Sequence, residues 1–118
     1  MSSDIEIHFD EAIAAYIVRF PDWVELQALK AAKLRFEKLL AEATSNRTFS
    51  LLLDTGPHEF ESIECRRYVR DFLSIEALAE RCRKFANVKP KSYGLGEIVS
   101  DTEASFNTYS DAYEWLKS

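Results

Sequence analysis

The residues most able to do chemistry lie in one short stretch, Asp54-Thr55-Gly56-Pro57-His58-Glu59-Phe60-Glu61, directly after the apolar run Leu51-Leu52-Leu53. Such a run reads as a strand, and ligands of open α/β sheets gather beyond the carboxyl ends of strands, so Asp54, Thr55 and His58 form the first candidate site. A histidine flanked by carboxylates has the chemistry of a general base or a metal ligand. Asp-Thr-Gly-Pro is also an ordinary turn, in which the aspartate accepts backbone N–H bonds, and this structural reading outweighs the catalytic one. A second cluster, Arg66, Arg67 and Arg70, offers guanidinium groups to an acidic partner or a phosphorylated group, with Glu59, Glu61, Glu64 and Asp71 near enough in sequence to neutralise them.

Other reactive side chains are sparse. The chain has two His and two Cys, none at metal-ligand spacing, so neither a metal nor a cofactor is expected. Cys82 reads as core, whereas Cys65, beside Arg66 near a helix start, is the candidate for a thiol of lowered pKa. His8 alternates with Ile7 and Phe9 and belongs to the polar face of a strand. Asp54-Thr55-Gly56 matches the tripeptide of aspartic proteases, which would require a symmetric dimer and an all-β setting. No Ser, His, Asp signature is present, and Gly94-Leu95-Gly96 lacks the third glycine of a dinucleotide loop.

These residues must be held by a chain of 118 residues, long enough to remove roughly two thirds of its unfolded surface from water as one domain spanning positions 1–118. With 47% apolar and 30% charged residues, three Gly and three Pro, the composition is that of a compact ordered protein. A net charge of −5 gives no general attraction to polyanions, so nucleic acid is not an expected partner. Residues 1–6 carry no basic segment leading into a long apolar stretch, and no run reaches the ~18 apolar residues of a membrane span, so a cytoplasmic protein with no membrane partner is expected. Asn46-Arg47-Thr48 then matches a glycosylation site by chance.

Alternation over residues 5–9 and again within 14–20, separated by Asp10-Glu11, predicts an antiparallel hairpin. Pro21 ends the second strand, and Asp22 with Glu25 forms a capping box for a helix reaching Thr44 or Ser45, its buried face made of Leu26, Leu29, Ala32, Phe36, Leu39, Leu40 and Ala43. Residues 49–53 read as a central strand covered on both faces. Ser62 caps a helical region running to about Lys84, with Val69, Phe72, Leu73, Leu78, Ala79 and Cys82 buried and a second piece starting at Ser74. On one continuous helix Cys65 and Cys82 would lie about 25 Å apart and could not pair. A weak strand over 85–89, a helical turn over 93–99, a short strand over 104–106 and a helix over 110–117, capped by Ser110 and burying Ala112, Trp115 and Leu116, complete the chain. The fold class is α/β: a mixed sheet of about five strands with an N-terminal antiparallel hairpin, packed by helices.

The element order, Leu51-Leu52-Leu53-Asp54 after a long amphipathic helix, Tyr93-Gly94-Leu95-Gly96 in the late connection, and Phe106 followed by Asp111-Ala112-Tyr113-Glu114-Trp115-Leu116 together resemble the SpoIIAA-like family. The resemblance covers essentially the whole chain and implies the STAS fold shared by anti-sigma-factor antagonists. Those antagonists bind a kinase-like partner and are phosphorylated in an Asp-Ser-Ser/Thr-Gly motif opening the helix after the Asp-terminated strand. The equivalent stretch here is Phe60-Glu61-Ser62-Ile63-Glu64-Cys65, so Ile63 or Glu64 replaces the phosphorylated residue, and Ser62 is adjacent.

Three functional classes follow. The first is a non-enzymatic interaction or regulatory module, whose partner is another protein or a second copy of itself, contacted through a helix face or a sheet edge; Trp23 is either an exposed anchor for it or packs over the sheet end. The second is a carrier or sensor of a small apolar ligand, in a cavity lined by Phe72, Leu73, Phe85 and Tyr93. The third is an enzyme in which Asp54 and His58 converge.

Overall fold

A computed structural model describes residues 5–42, 48–55, 59–73 and 80–117. The elements are β1 (Glu6–Asp10), β2 (Ala15–Arg19), β3 (Trp23–Val24), α1 (Leu26–Glu42), β4 (Phe49–Asp54), β5 (Glu59–Phe60), α2 (Ile63–Leu73), β6 (Cys82–Val88), a 3-10 turn (Lys91–Tyr93), β7 (Glu103–Phe106) and α3 (Tyr109–Lys117). Five strands form a mixed sheet in the order β1-β2-β4-β6-β7, antiparallel between β1 and β2 and parallel elsewhere.

The hairpin closes as its alternation requires, with Phe9 opposite Tyr16. Asp10 anchors the turn, its Oδ1 accepting the Ala12 N–H at 2.9 Å. All six residues of β4 are buried because helices cover both faces, which explains its unbroken apolar run. On one face Leu51 and Leu53 join Tyr16, Val18, Phe36 and Phe72 under α1 and α2. Aromatic rings knit that core, with centroids 5.3 Å apart for Tyr16 and Phe36 and 5.6 Å for Phe36 and Phe72. On the other face Leu52 packs with Ile17, Ala86, Ala112 and Leu116 under α3.

Several expectations are corrected. Asp22 does not start α1: Trp23 and Val24 instead form β3, pairing in parallel with β5, and the helix opens at Leu26. The cap comes from 35 residues away, where Glu61 Oε2 accepts the Leu26 N–H at 3.0 Å. The second helical region does not reach Lys84, because β6 begins at Cys82 and runs seven residues between β4 and β7. Cys82 is therefore a half-buried strand residue and does not share a helix with Cys65; both thiols are free. The turn expected over 93–99 lies earlier, at Lys91–Tyr93, and the following segment is extended, with Ile98 bridged antiparallel to Ala104. α3 is capped by Thr108, whose Oγ1 accepts the Asp111 N–H at 3.2 Å, two positions before Ser110, which lies inside the helix. Trp115 is half-buried at the margin of the sheet, its ring 5.7 Å from that of Phe106 and beneath Lys84 Nζ. Ala43, Thr44, Ser45, Asn46, Arg47, Gly56, Pro57, His58, Ser74, Leu78 and Ala79 lie outside the described residues.

Candidate functional site

Asp54 stands at the carboxyl end of β4 as its sequence position demands, but its carboxylate is committed. Oδ2 lies 3.3 Å from Arg19 Nε, and the same guanidinium covers the Tyr109 ring at 4.8 Å from its centroid. The Asp54 carbonyl accepts the Phe20 N–H at 2.9 Å. Thr55 is tied to β6 twice, through its N–H at 3.0 Å and its hydroxyl at 2.8 Å, both donating to the Val88 carbonyl. Together these contacts lash the ends of β2, β4 and β6 to one another and to α3. Burial holds the Tyr109 phenol above the ordinary tyrosine range, with Arg19 opposing and Asp10 and Asp54 assisting. Tyr113 is raised too, first by desolvation and then by the Asp10 carboxylate that its hydroxyl reaches at 3.1 Å.

Arg66, Arg67 and Arg70 are all exposed on α2. With Ile63 they occupy positions i, i+3, i+4 and i+7, one continuous helix face, while Cys65 and Phe72 bury the opposite face. Ile63 is 73% exposed and Trp23, on the neighbouring two-stranded β3–β5 sheet, is 46% exposed. Phe60 links the two: its backbone pairs with Val24, and the Arg66 guanidinium lies 5.9 Å from its ring centroid. Ser62 caps this helix as its sequence predicts, Oγ accepting the Cys65 N–H at 3.3 Å. Cys65 is fully buried, 3.7 Å from Ser62 Oγ and 4.0 Å from Glu61 Oε2, and so is a core residue. The two residues onto which the resemblance places the phosphorylated position, Ile63 and Glu64, are both exposed in the first turn of the helix.

Tyr93 is exposed in the turn after β6, whereas Phe72, Leu73 and Phe85 belong to the core under α1 and α2. Sequence reasoning placed Ile63 only at the phosphorylation-equivalent position and Glu61 only as a nearby carboxylate, and it missed the exposed α2 anchor, the helix cap and the Arg19–Asp54–Tyr109 assembly that they and their neighbours make. The i, i+3, i+4, i+7 spacing of Ile63 with the arginines was legible; the other two depend on strand register.

Neither a protein-family model nor a curated protein matches this chain. Among solved structures, it is similar to an uncharacterised protein of the DUF3478 family from Shewanella loihica PV-4, described as having a SpoIIAA-like fold. The two are 14% identical, the match covers 98% of each chain, and the TM-score is 0.62. Five strands in this order, opened by an antiparallel hairpin and packed by helices, thus constitute a SpoIIAA-like fold, as the sequence resemblance implied.

Proposed function

We propose that this chain is a non-enzymatic interaction module that docks an acidic, partly apolar segment of another protein on the face formed by Trp23, Ile63, Arg66 and Arg67. The observation that carries this reading is the continuous α2 face, in which an exposed isoleucine leads into three exposed arginines beside an exposed tryptophan. Tryptophan and arginine are the residue types that dominate interface energetics. A location in the cytoplasm is part of the proposal, since two free thiols suit a reducing compartment. The Arg19 pairing of Asp54 supports a structural role for that carboxylate.

The test is quantitative affinity capture from cell extract with wild type, Ile63→Asp, Arg66→Glu/Arg67→Glu and, as a control on the far side of α1, Lys38→Glu. A partner held by wild type and the control but lost from both α2-face variants is expected. Capture indifferent to all variants, or native mass spectrometry showing a small molecule released on denaturation, would count against this reading.

A further inference from the structure

The two edges of the sheet differ in chemistry. Along β1 the exposed side chains are Glu6 and His8, and the Arg35 guanidinium donates to the carbonyl of Ile5, just before that strand; such charged edges discourage strand addition. Beyond β7 the outermost backbone is the extended segment 94–99, whose Leu95, Ile98 and Val99 are 75%, 65% and 61% exposed. The segment is held tightly. Ser105 N–H donates to the Glu97 carbonyl at 2.8 Å and Val99 N–H to the Glu103 carbonyl at 2.9 Å. Asn107 clasps it as well, accepting the Gly96 N–H at 2.8 Å and donating to the Gly94 carbonyl at 3.0 Å. Gly96 permits the close approach, since a Cβ there would lie 2.6 Å from the Ser105 carbonyl oxygen and 2.7 Å from Phe106 Cα.

In an antiparallel pair the two bonds flanking Ile98 make it a non-hydrogen-bonded position toward β7, so its own N–H and C=O point away from the sheet. Among the described residues nothing bonds to either group. We propose that this edge is a self-association surface, on which a second copy of the chain pairs antiparallel about a two-fold axis at Ile98, each Ile98 exchanging N–H and C=O with its counterpart. The charge order selects that partner and that orientation. Lys89 and Lys91 precede the segment, with Lys89 Nζ 3.5 Å from where a Cβ on Gly94 would sit, and Asp101 and Glu103 follow it. Antiparallel pairing sets the basic start of one copy against the acidic end of the other; parallel pairing would set like against like. The surface is distinct from the α2 face and the proposal does not rest on it.

The experiment is sedimentation equilibrium of the full chain from about 1 μM to about 1 mM, the range in which so small an interface dissociates. Wild type is expected to move from the 13.6 kDa monomer to twice that mass as concentration rises. Ile98→Pro deletes the outward N–H while keeping every bond to β7, and is expected to weaken association about tenfold or more with the thermal midpoint retained. Ile98→Lys, which leaves the backbone intact, is expected to do the same and covers the case in which proline unfolds the segment. Lys91→Glu weakens the dimer and Lys91→Glu/Glu103→Lys restores it. A wild type monomeric throughout the range, or a dimer undiminished in both Ile98 variants, overturns the proposal.

Discussion

A helix cap supplied from 35 residues away gives the sharpest test. Glu61, in the bend between β5 and α2, accepts the first free amide of α1 from Leu26 at 3.0 Å, and its own N–H donates to the Val24 carbonyl at 2.8 Å. Removing a side-chain cap costs about 1 kcal/mol, within a range of about 0.5–2. The contact is exposed, so the lower half of that range applies to Glu61→Ala. For 118 residues, an unfolding entropy of about 2.1 cal/mol/K per residue turns a loss of ~1 kcal/mol into a fall of about 4 °C in Tm. In urea, a slope of about 1–3 kcal/mol/M gives a midpoint shift of about 0.3–1 M at unchanged slope. Glu61→Gln, which keeps an acceptor, should lose only a few tenths of a kcal/mol. Asp22→Ala, which removes the cap that sequence pattern favours, should fall within about 0.5 kcal/mol of wild type. Urea and thermal unfolding of the three variants decide the matter: if Asp22→Ala costs more than Glu61→Ala, the long-range cap is wrong and the local capping box governs α1.

Two further outcomes are expected. Leu52→Ala, fully buried at the centre of β4 between Ile17 and Ala86, should cost about 2–5 kcal/mol, whereas Leu34→Ala on the exposed side of α1 should change stability by less than about 0.5; equal losses in denaturant melts would contradict the assignment of faces. Burial pushes the Cys82 thiol up to about 11, and Tyr109 and Tyr113 also titrate above their ordinary range. A raised folded pKa favours the neutral native form, so this stability is fully present below the unfolded thiol value of about 8.5 and is lost as pH climbs through the folded values. Urea midpoints should hold near neutrality and decline toward about pH 11, with the onset delayed in Cys82→Ala; a flat profile, or identical profiles for the two proteins, would refute the assignment.

How much of this was legible follows from the range of the forces involved. The hairpin, the buried stripe of α1 and the doubly covered β4 were readable because period 2, period 3.6 and an unbroken apolar run are local patterns that any sheet-and-helix packing must honour. The start of β6 was misplaced because Cys82-Arg83-Lys84 has no strand alternation. Those residues are extended because their backbone must pair with β4, where the register shifts between Phe49 and Leu51. In the candidate sites the same division holds. Ile63 and its three arginines form one face through helical spacing alone, yet their exposure depends on Cys65 and Phe72 turning inward.

The sequence by itself determined the fold class, the hairpin and the central strand, because each is written in residue types a few positions apart, and its resemblance to the SpoIIAA-like family implied the architecture that the structural neighbour shares. Tertiary structure alone decided that Asp54 is neutralised by Arg19, that Glu61 caps a helix 35 residues earlier, and that Ile98 turns its amide outward. Those outcomes are set by strand order and register, which fix through-space neighbours that no local spacing encodes.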